Sequence, residues 1–289
     1  MTADMLWSPF VEFGFMRRAL VGCIAISLGA TPVGVFMILR RMSLTGDAMA
    51  HAILPGTAIA YLLVGLSLPA MTIGGLVAGL IVAVGAGVIA RHTSLREDTS
   101  LAAFYLISLA LGVLLLSSHG NSVDLFHVLF GSILALDNRS LLLLAAIASV
   151  SLLLLAVIFR SLILECVDAL FLRSVSRTSP IAHYGFLTLM VMNLVAGFHA
   201  LGTLMAVGMM VLPGAAAKFW VRSLGALLGL SVIVGFSGSY LGLLLSYHQD
   251  LPAGPAIILV LGAIYAGSIV FGRDSGLLAM HMTRQHLAG

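Results

Sequence analysis

Long apolar runs separated by short polar stretches dominate this chain, and run length decides the fold class. Crossing the roughly 30 Å hydrocarbon core of a bilayer as a helix takes about 20 mostly apolar residues. Nine segments meet or approach that length: 19–39, 44–66, 69–90, 100–118, 140–159, 182–199, 201–217, 224–247 and 253–272. The seventh is short and carries Pro213-Gly214, so it is expected to be broken or re-entrant. The pattern predicts an all-α polytopic membrane protein of 8–9 transmembrane helices. Residues 1–18 are read as an N-terminal interfacial segment, 19–272 as the transmembrane domain and 273–289 as a tail.

Composition sharpens this reading. Apolar residues make up 61% of the 289 and charged residues only 9%, against about 25% charged in a soluble domain. So few charges cannot cover a water-facing surface, which excludes a soluble enzyme, a disordered chain and a nucleic-acid-binding domain. Arg and Lys placement gives orientation. With the first span running inward, eleven basic residues fall inside, among them Arg40, Arg41, Arg91 and Lys218, and three outside: Arg17, Arg18 and Arg139. The expected topology is N-terminus outside and C-terminus in the cytoplasm, in a bacterial inner membrane. Cys23 and Cys166 form no CxxC pair.

Common energy-coupling and hydrolytic motifs are missing. No GxxxxGK[ST] phosphate loop occurs, since the single Lys218 follows three alanines; neither HExxH nor GxSxG occurs. The chain is read as a non-enzyme that draws on a partner subunit or an ion gradient.

The most informative stretch is RRMSLTGDAMAHAILPG, residues 40–56. Asp47 and His51 stand at i and i+4, one turn apart on one helical face. A carboxylate at membrane depth is costly and faces a cavity or a partner. One carboxylate and one imidazole supply half of a four-coordinate divalent-metal site. The plainer alternative is that Asp47 bonds His51 or pairs with Arg40 or Arg41. Pro55-Gly56 then interrupts the helix, as helices do beside transport pathways. The tripeptide recurs at Leu212-Pro213-Gly214, an offset of 158 residues that sets Asp47 and His51 against Met205 and Met209. That spacing suggests an inverted repeat, with the methionines as packing residues.

Other polar residues are weaker candidates. His119, Asp124 and His127, in the outer connection 119–139, can form a metal-receiving funnel, or simply a solvated loop. His199 can line an outer gate. His183 and His248 are read as interfacial. The inner connection 160–181 holds Glu165, Asp168, Leu170, Phe171 and Arg173 on an amphipathic stretch that suits either the membrane surface or a partner.

The run RRMSLTGDAMAHAILPG resembles the hallmark of the zinc/manganese/iron permeases of the ABC transporter superfamily, whose pattern is close to RRxSLxGDAxxHAxLPG. The segments REDTSLAAFYLISLALGVLLLS, LFHVLFGSILALD and LGTLMAVGMMVLPGAAAKF follow in order, so the resemblance spans nearly the whole chain. It implies a pair of permease chains, two cytoplasmic ABC ATPase subunits and an extracytoplasmic metal-binding protein. It also implies alternating access, with Asp47 and His51 contacting the metal. Glu165, Asp168, Leu170, Phe171 and Arg173 fall where the family places its ATPase-coupling helix, although the usual FDPE-like start is absent. Zinc is the metal read from the Asp/His pair and the outer histidines, with manganese or ferrous iron as the alternative. A proton-coupled carrier and a non-transporting scaffold are the rival readings. Asp47 is the only acid well inside a span, which disfavours the carrier.

Overall fold

A computed structural model describes residues 2–65, 67–95, 97–118, 133–168, 179–274 and 276–278. Its elements are α1 (Thr2–Glu12), α2 (Gly14–Leu39), α3 (Ser43–Ala52), α4 (Leu54–Val64), α5 (Leu68–His92), α6 (Glu97–Ser118), a 3-10 turn (Ile133–Ala135), α7 (Asn138–Val167), α8 (Ser179–Leu201), α9 (Thr203–Ala217), α10 (Leu224–Gln249) and α11 (Ala253–Phe271). No strand occurs among the described residues. Helices bond their own backbone, which is what a chain in hydrocarbon requires. Eight spans are long and apolar enough to cross a membrane, α3 and α4 together forming one of them, and α9 is a shorter ninth apolar helix.

Burial divides the helices into two sets. The α2 and α8 spans are mostly buried inside the protein, whereas α5, α6, α7 and α11 bury only a minority of their surface. The outward residues of the second set are apolar: Ile81 and Leu153 are exposed, and Val157 is 81% exposed. An apolar exterior around a packed interior is the arrangement that lipid, not water, stabilises. At the centre, α2 packs against α7, α8, α9 and α10. Small residues allow the tightest crossing: Gly56 of α4 and Gly74 of α5 face each other so closely that a Cβ on either would strike the other's carbonyl.

Three boundaries depart from the sequence reading. The first span helix begins at Gly14, not 19, so Arg17 and Arg18 lie in its first turns; Arg18 Nε donates to the Leu136 carbonyl at 2.8 Å. Ahead of it α1 forms a helix of its own, held by Tyr240, whose hydroxyl donates to the Leu6 carbonyl at 3.0 Å. Helix α7 runs on to Val167, because RSLILECV carries no breaker and the polar residues there end the apolar span without ending the helix. Its start is capped by Asp137, whose Oδ1 accepts from the Ser140 N–H at 2.8 Å. Hydrogen bonding from the Ser140 hydroxyl, and then from its N–H, holds the Asp137 carboxyl below its ordinary range.

Candidate functional site

The span carrying Asp47 and His51 is built from two short helices in succession. Helix α2 ends at Leu39 in a tight turn: the Met42 N–H reaches the Met37 carbonyl at 2.9 Å and the Arg41 N–H reaches the Ile38 carbonyl at 3.1 Å. This is a Schellman closure, with Arg41 in the left-handed position (φ 58°) that glycine usually fills. A non-glycine residue there costs roughly 1 kcal/mol or more. Helix α3 follows for ten residues. Ile53 then separates it from α4, which takes Pro55 in its first turn, where a missing N–H costs little. Ser108 of α6 donates its hydroxyl to the Ala52 carbonyl at the break, at 2.9 Å.

On α3, Asp47 Oδ1 and His51 Nε2 lie 4.0 Å apart. That exceeds a hydrogen bond. It suits two donors on one ion, since two metal–ligand bonds of about 2.1 Å span up to about 4.2 Å. The Asp47 side chain is 72% exposed and that of His51 29%, so the described residues leave Asp47 largely open and His51 partly so. His51 Nδ1 is buried and takes no hydrogen bond from the described residues. Asp47 also lines a groove of about 650 Å³ with Arg41 and Ser43 from the same segment and Asp98 and Tyr105 from α6. Asp98 escaped notice in the sequence, although a second acid beginning a span (REDTSL) was a readable signal. No group of three or more His, Cys, Asp or Glu side chains converges among the described residues; α3 brings together two.

Of the remaining candidates, His119, Asp124, His127, Leu170, Phe171 and Arg173 lie outside the described residues, and His199 belongs to the last turns of α8. Asp168 caps the end of α7 and is exposed.

A sequence profile of the ABC 3 transport family matches residues 12–272. The chain belongs to the ABC 3 transport family. It is 35% identical over 248 residues to the manganese import system permease protein of Streptococcus parasanguinis, covering 86% of this chain and 87% of that one. It is 29% identical over 271 residues to the chelated iron transport system membrane protein of Yersinia pestis, covering 94% and 90%. Among solved structures it is similar to PsaBC from Streptococcus pneumoniae in complex with Fab, with 31% identity, a TM-score of 0.84 and coverage of 97% of this chain and all of that one.

Within this ABC 3 transport protein the structure also assembles a charged cluster that no local pattern announced. Glu165, expected on an ATPase-facing loop, is instead in the last turn of α7 with its side chain 1% exposed, turned inward. Its Oε1 lies 3.5 Å from Arg40 Nη2. Arg40 therefore pairs with Glu165 and not with Asp47. Arg40 Nη2 is also 2.9 Å from His183 Nδ1, and its guanidinium stacks 4.8 Å from the Phe186 ring centre. Arginine only donates, so His183 Nδ1 accepts, which puts the proton of a neutral imidazole on Nε2. His183 is buried within the protein. Losing one partner of such a buried pair typically costs about 3–5 kcal/mol.

Proposed function

We propose that this chain is the permease subunit of an ATP-driven manganese importer, with ferrous iron as a second cargo, and that Asp47 and His51 contact the ion in transit. The observation that carries the reading is the Asp47–His51 pair: two donors 4.0 Å apart, one largely and one partly exposed, on a helix that breaks at Ile53. Family membership supplies the transport context. The relatives compared are named for manganese or iron, so the zinc expectation gives way to its alternative. A carboxylate–imidazole pair accepts all three metals, and zinc was only the borderline choice among them.

A two-donor site is incomplete. In this reading a second copy of the chain brings its own pair to the same ion, and four groups meet on the axis between them. Two cytoplasmic ABC ATPases supply the energy, docking on the segment that begins at Asp168 and includes Leu170, Phe171 and Arg173. An extracytoplasmic metal-binding protein delivers the ion. Alternating access then opens the pair to one side of the membrane at a time.

The test is uptake of radioactive Mn²⁺ into vesicles holding the permease together with its ATPase and delivery protein. Uptake is expected to need ATP and to be inhibited by unlabelled Mn²⁺ and Fe²⁺ at concentrations at which Zn²⁺ has little effect. Stronger inhibition by Zn²⁺ would return the assignment to zinc. ATP-independent uptake abolished by a protonophore would favour the proton-coupled carrier.

A further inference from the structure

Helix α3 is ten residues long, set off from α2 by a turn and from α4 by the single residue Ile53. The Arg40–Met42 turn bounds it on one side and the Ile53 break on the other. A short helix between two joints can tilt, and its tilt decides where Asp47 and His51 point. Its far end is tied to α6 through the Ser108–Ala52 hydrogen bond. Its near end is tied through Arg40, the residue that ends α2.

Arg40 is held from two further helices at once. Glu165 comes from the last turn of α7 and His183 from the first turns of α8, and both meet the same Nη2 atom. The side chains of Arg40, Glu165 and His183 are 10%, 1% and 3% exposed. Helix α5 closes the site: a Cβ on Gly87 would lie 3.4 Å from His183 Nε2. An apolar contact would join these helices at least as firmly, because buried ion pairs are often no more stabilising than well-packed hydrocarbon. The guanidinium contact differs in being directional: through one nitrogen, Nη2, it donates to His183 Nδ1 at 2.9 Å and stands 3.5 Å from Glu165 Oε1, which holds in one relative placement of the three ends.

We propose that Arg40, Glu165 and His183 are positioning residues for the cargo pair. They clamp the α2–α3 turn to the facing ends of α7 and α8, so that a displacement of those two ends is passed to Asp47 and His51. The proposal rests on the reading of Asp47 and His51 as the cargo contact, and it assigns to Glu165 an inner mechanical role in place of a surface contact.

The test measures Mn²⁺ binding to the complete purified transporter, from the paramagnetic resonance signal of free Mn²⁺. Two variants are compared, each alone and combined with Asp47→Asn. Arg40→Lys keeps the charge and loses the planar guanidinium. Glu165→Gln keeps the shape and loses the charge. Each alone is expected to weaken Mn²⁺ binding about tenfold at unchanged membrane level, the scale on which outer partners of metal ligands act. In the Asp47→Asn background neither is expected to weaken binding further, because residues acting through one another are non-additive. Unchanged binding in the single variants would overturn the proposal. So would an equal weakening with and without Asp47, or loss of both variants from the membrane, since either marks the cluster as part of the fold alone. Normal binding by Asp47→Asn itself would remove the cargo reading and the proposal with it. Weak binding by Asp47→Asn beside normal binding by Arg40→Lys and Glu165→Gln would remove the positioning role only.

Discussion

Leu-Pro-Gly occurs at 54–56 and again at 212–214, and the two copies sit in different backbones. In the first, Pro55 stands in the opening turn of α4, just after the Ile53 break. In the second, Pro213 lies inside α9, eleven residues beyond the Gly202 cap, where a φ of 80° requires glycine. The side chains one and two turns upstream differ in the same sense. Asp47 is largely exposed and His51 partly so. Met205 is 1% exposed and Met209 is fully buried, its sulfur 3.4 Å from the Ser239 hydroxyl, which donates to it. A proline that starts a helix leaves a joint whose polar ends a neighbour such as Ser108 can satisfy. Such a joint lets a short helix turn charged groups toward a face that the described residues leave open. A proline within a helix packed on all sides leaves no such freedom, and the thioethers there need no partner. In the inverted repeat read from the sequence, one half would thus carry the donors and the other a packed wall.

The largest effect that separates the two regions is expected at Asp47. Asp47→Asn keeps shape but removes a charged oxygen donor, so Mn²⁺ uptake at limiting metal should fall roughly 100-fold, beyond the loss of an outer partner. His51→Ala should behave alike, and, if both groups serve one ion as proposed, the double variant should be little worse than either single one. Membrane levels should hold, as an amide is easier to bury than a carboxylate. Near-normal uptake by Asp47→Asn would erase the functional difference between the two copies and leave Asp47 as a structural neighbour of His51.

At Met209 the expected loss is of stability, not of transport chemistry. Met209→Ala leaves a cavity at a fully buried site and should cost about 3 kcal/mol. Thermal unfolding should shift down, while the Mn²⁺ KM of the surviving protein stays within about twofold of the parent. Met209→Leu, which conserves volume, should be close to neutral. A KM raised tenfold by Met209→Leu would place a sulfur contact on the ion's path and make the two copies functionally alike.

How much of this was legible depends on whether the signal was local. Span number and class followed from run length, because lipid imposes a minimum length that composition reveals at once. The Asp47–His51 pair followed from a four-residue spacing, and the break from Pro55. Pro55 announced an interruption within the 44–66 span, but only the backbone shows that the helix stops at Ala52 and restarts at Leu54. The Arg40–Glu165–His183 cluster was illegible for a different reason. Its members stand at the ends of three helices, with Arg40 and His183 143 residues apart, and each has an ordinary local role: an arginine at a span end, an acid on an inner loop, an interfacial histidine. Only packing brings them together.

The smallest effect tests the joint itself. Ser108→Ala removes the hydroxyl that satisfies the Ala52 carbonyl at the far end of α3. The donor and acceptor are buried, so the change should cost about 1 kcal/mol. If half of that falls on the geometry of α3, the Mn²⁺ KM should rise about twofold, since 1.4 kcal/mol corresponds to a tenfold change. Ser239→Ala is the matching change beside the second copy. It removes a weaker bond to sulfur and a local bond to the Gly235 carbonyl at 2.7 Å, an acceptor that keeps its own helical N–H partner. That substitution should leave KM unchanged and move thermal unfolding only slightly. Measured side by side in the complete transporter, a KM shift confined to Ser108→Ala would mark the α3–α4 joint as the element that sets the donors. Equal KM shifts in both variants would mean that helix packing in general sets them, and that the break after Ala52 contributes nothing of its own.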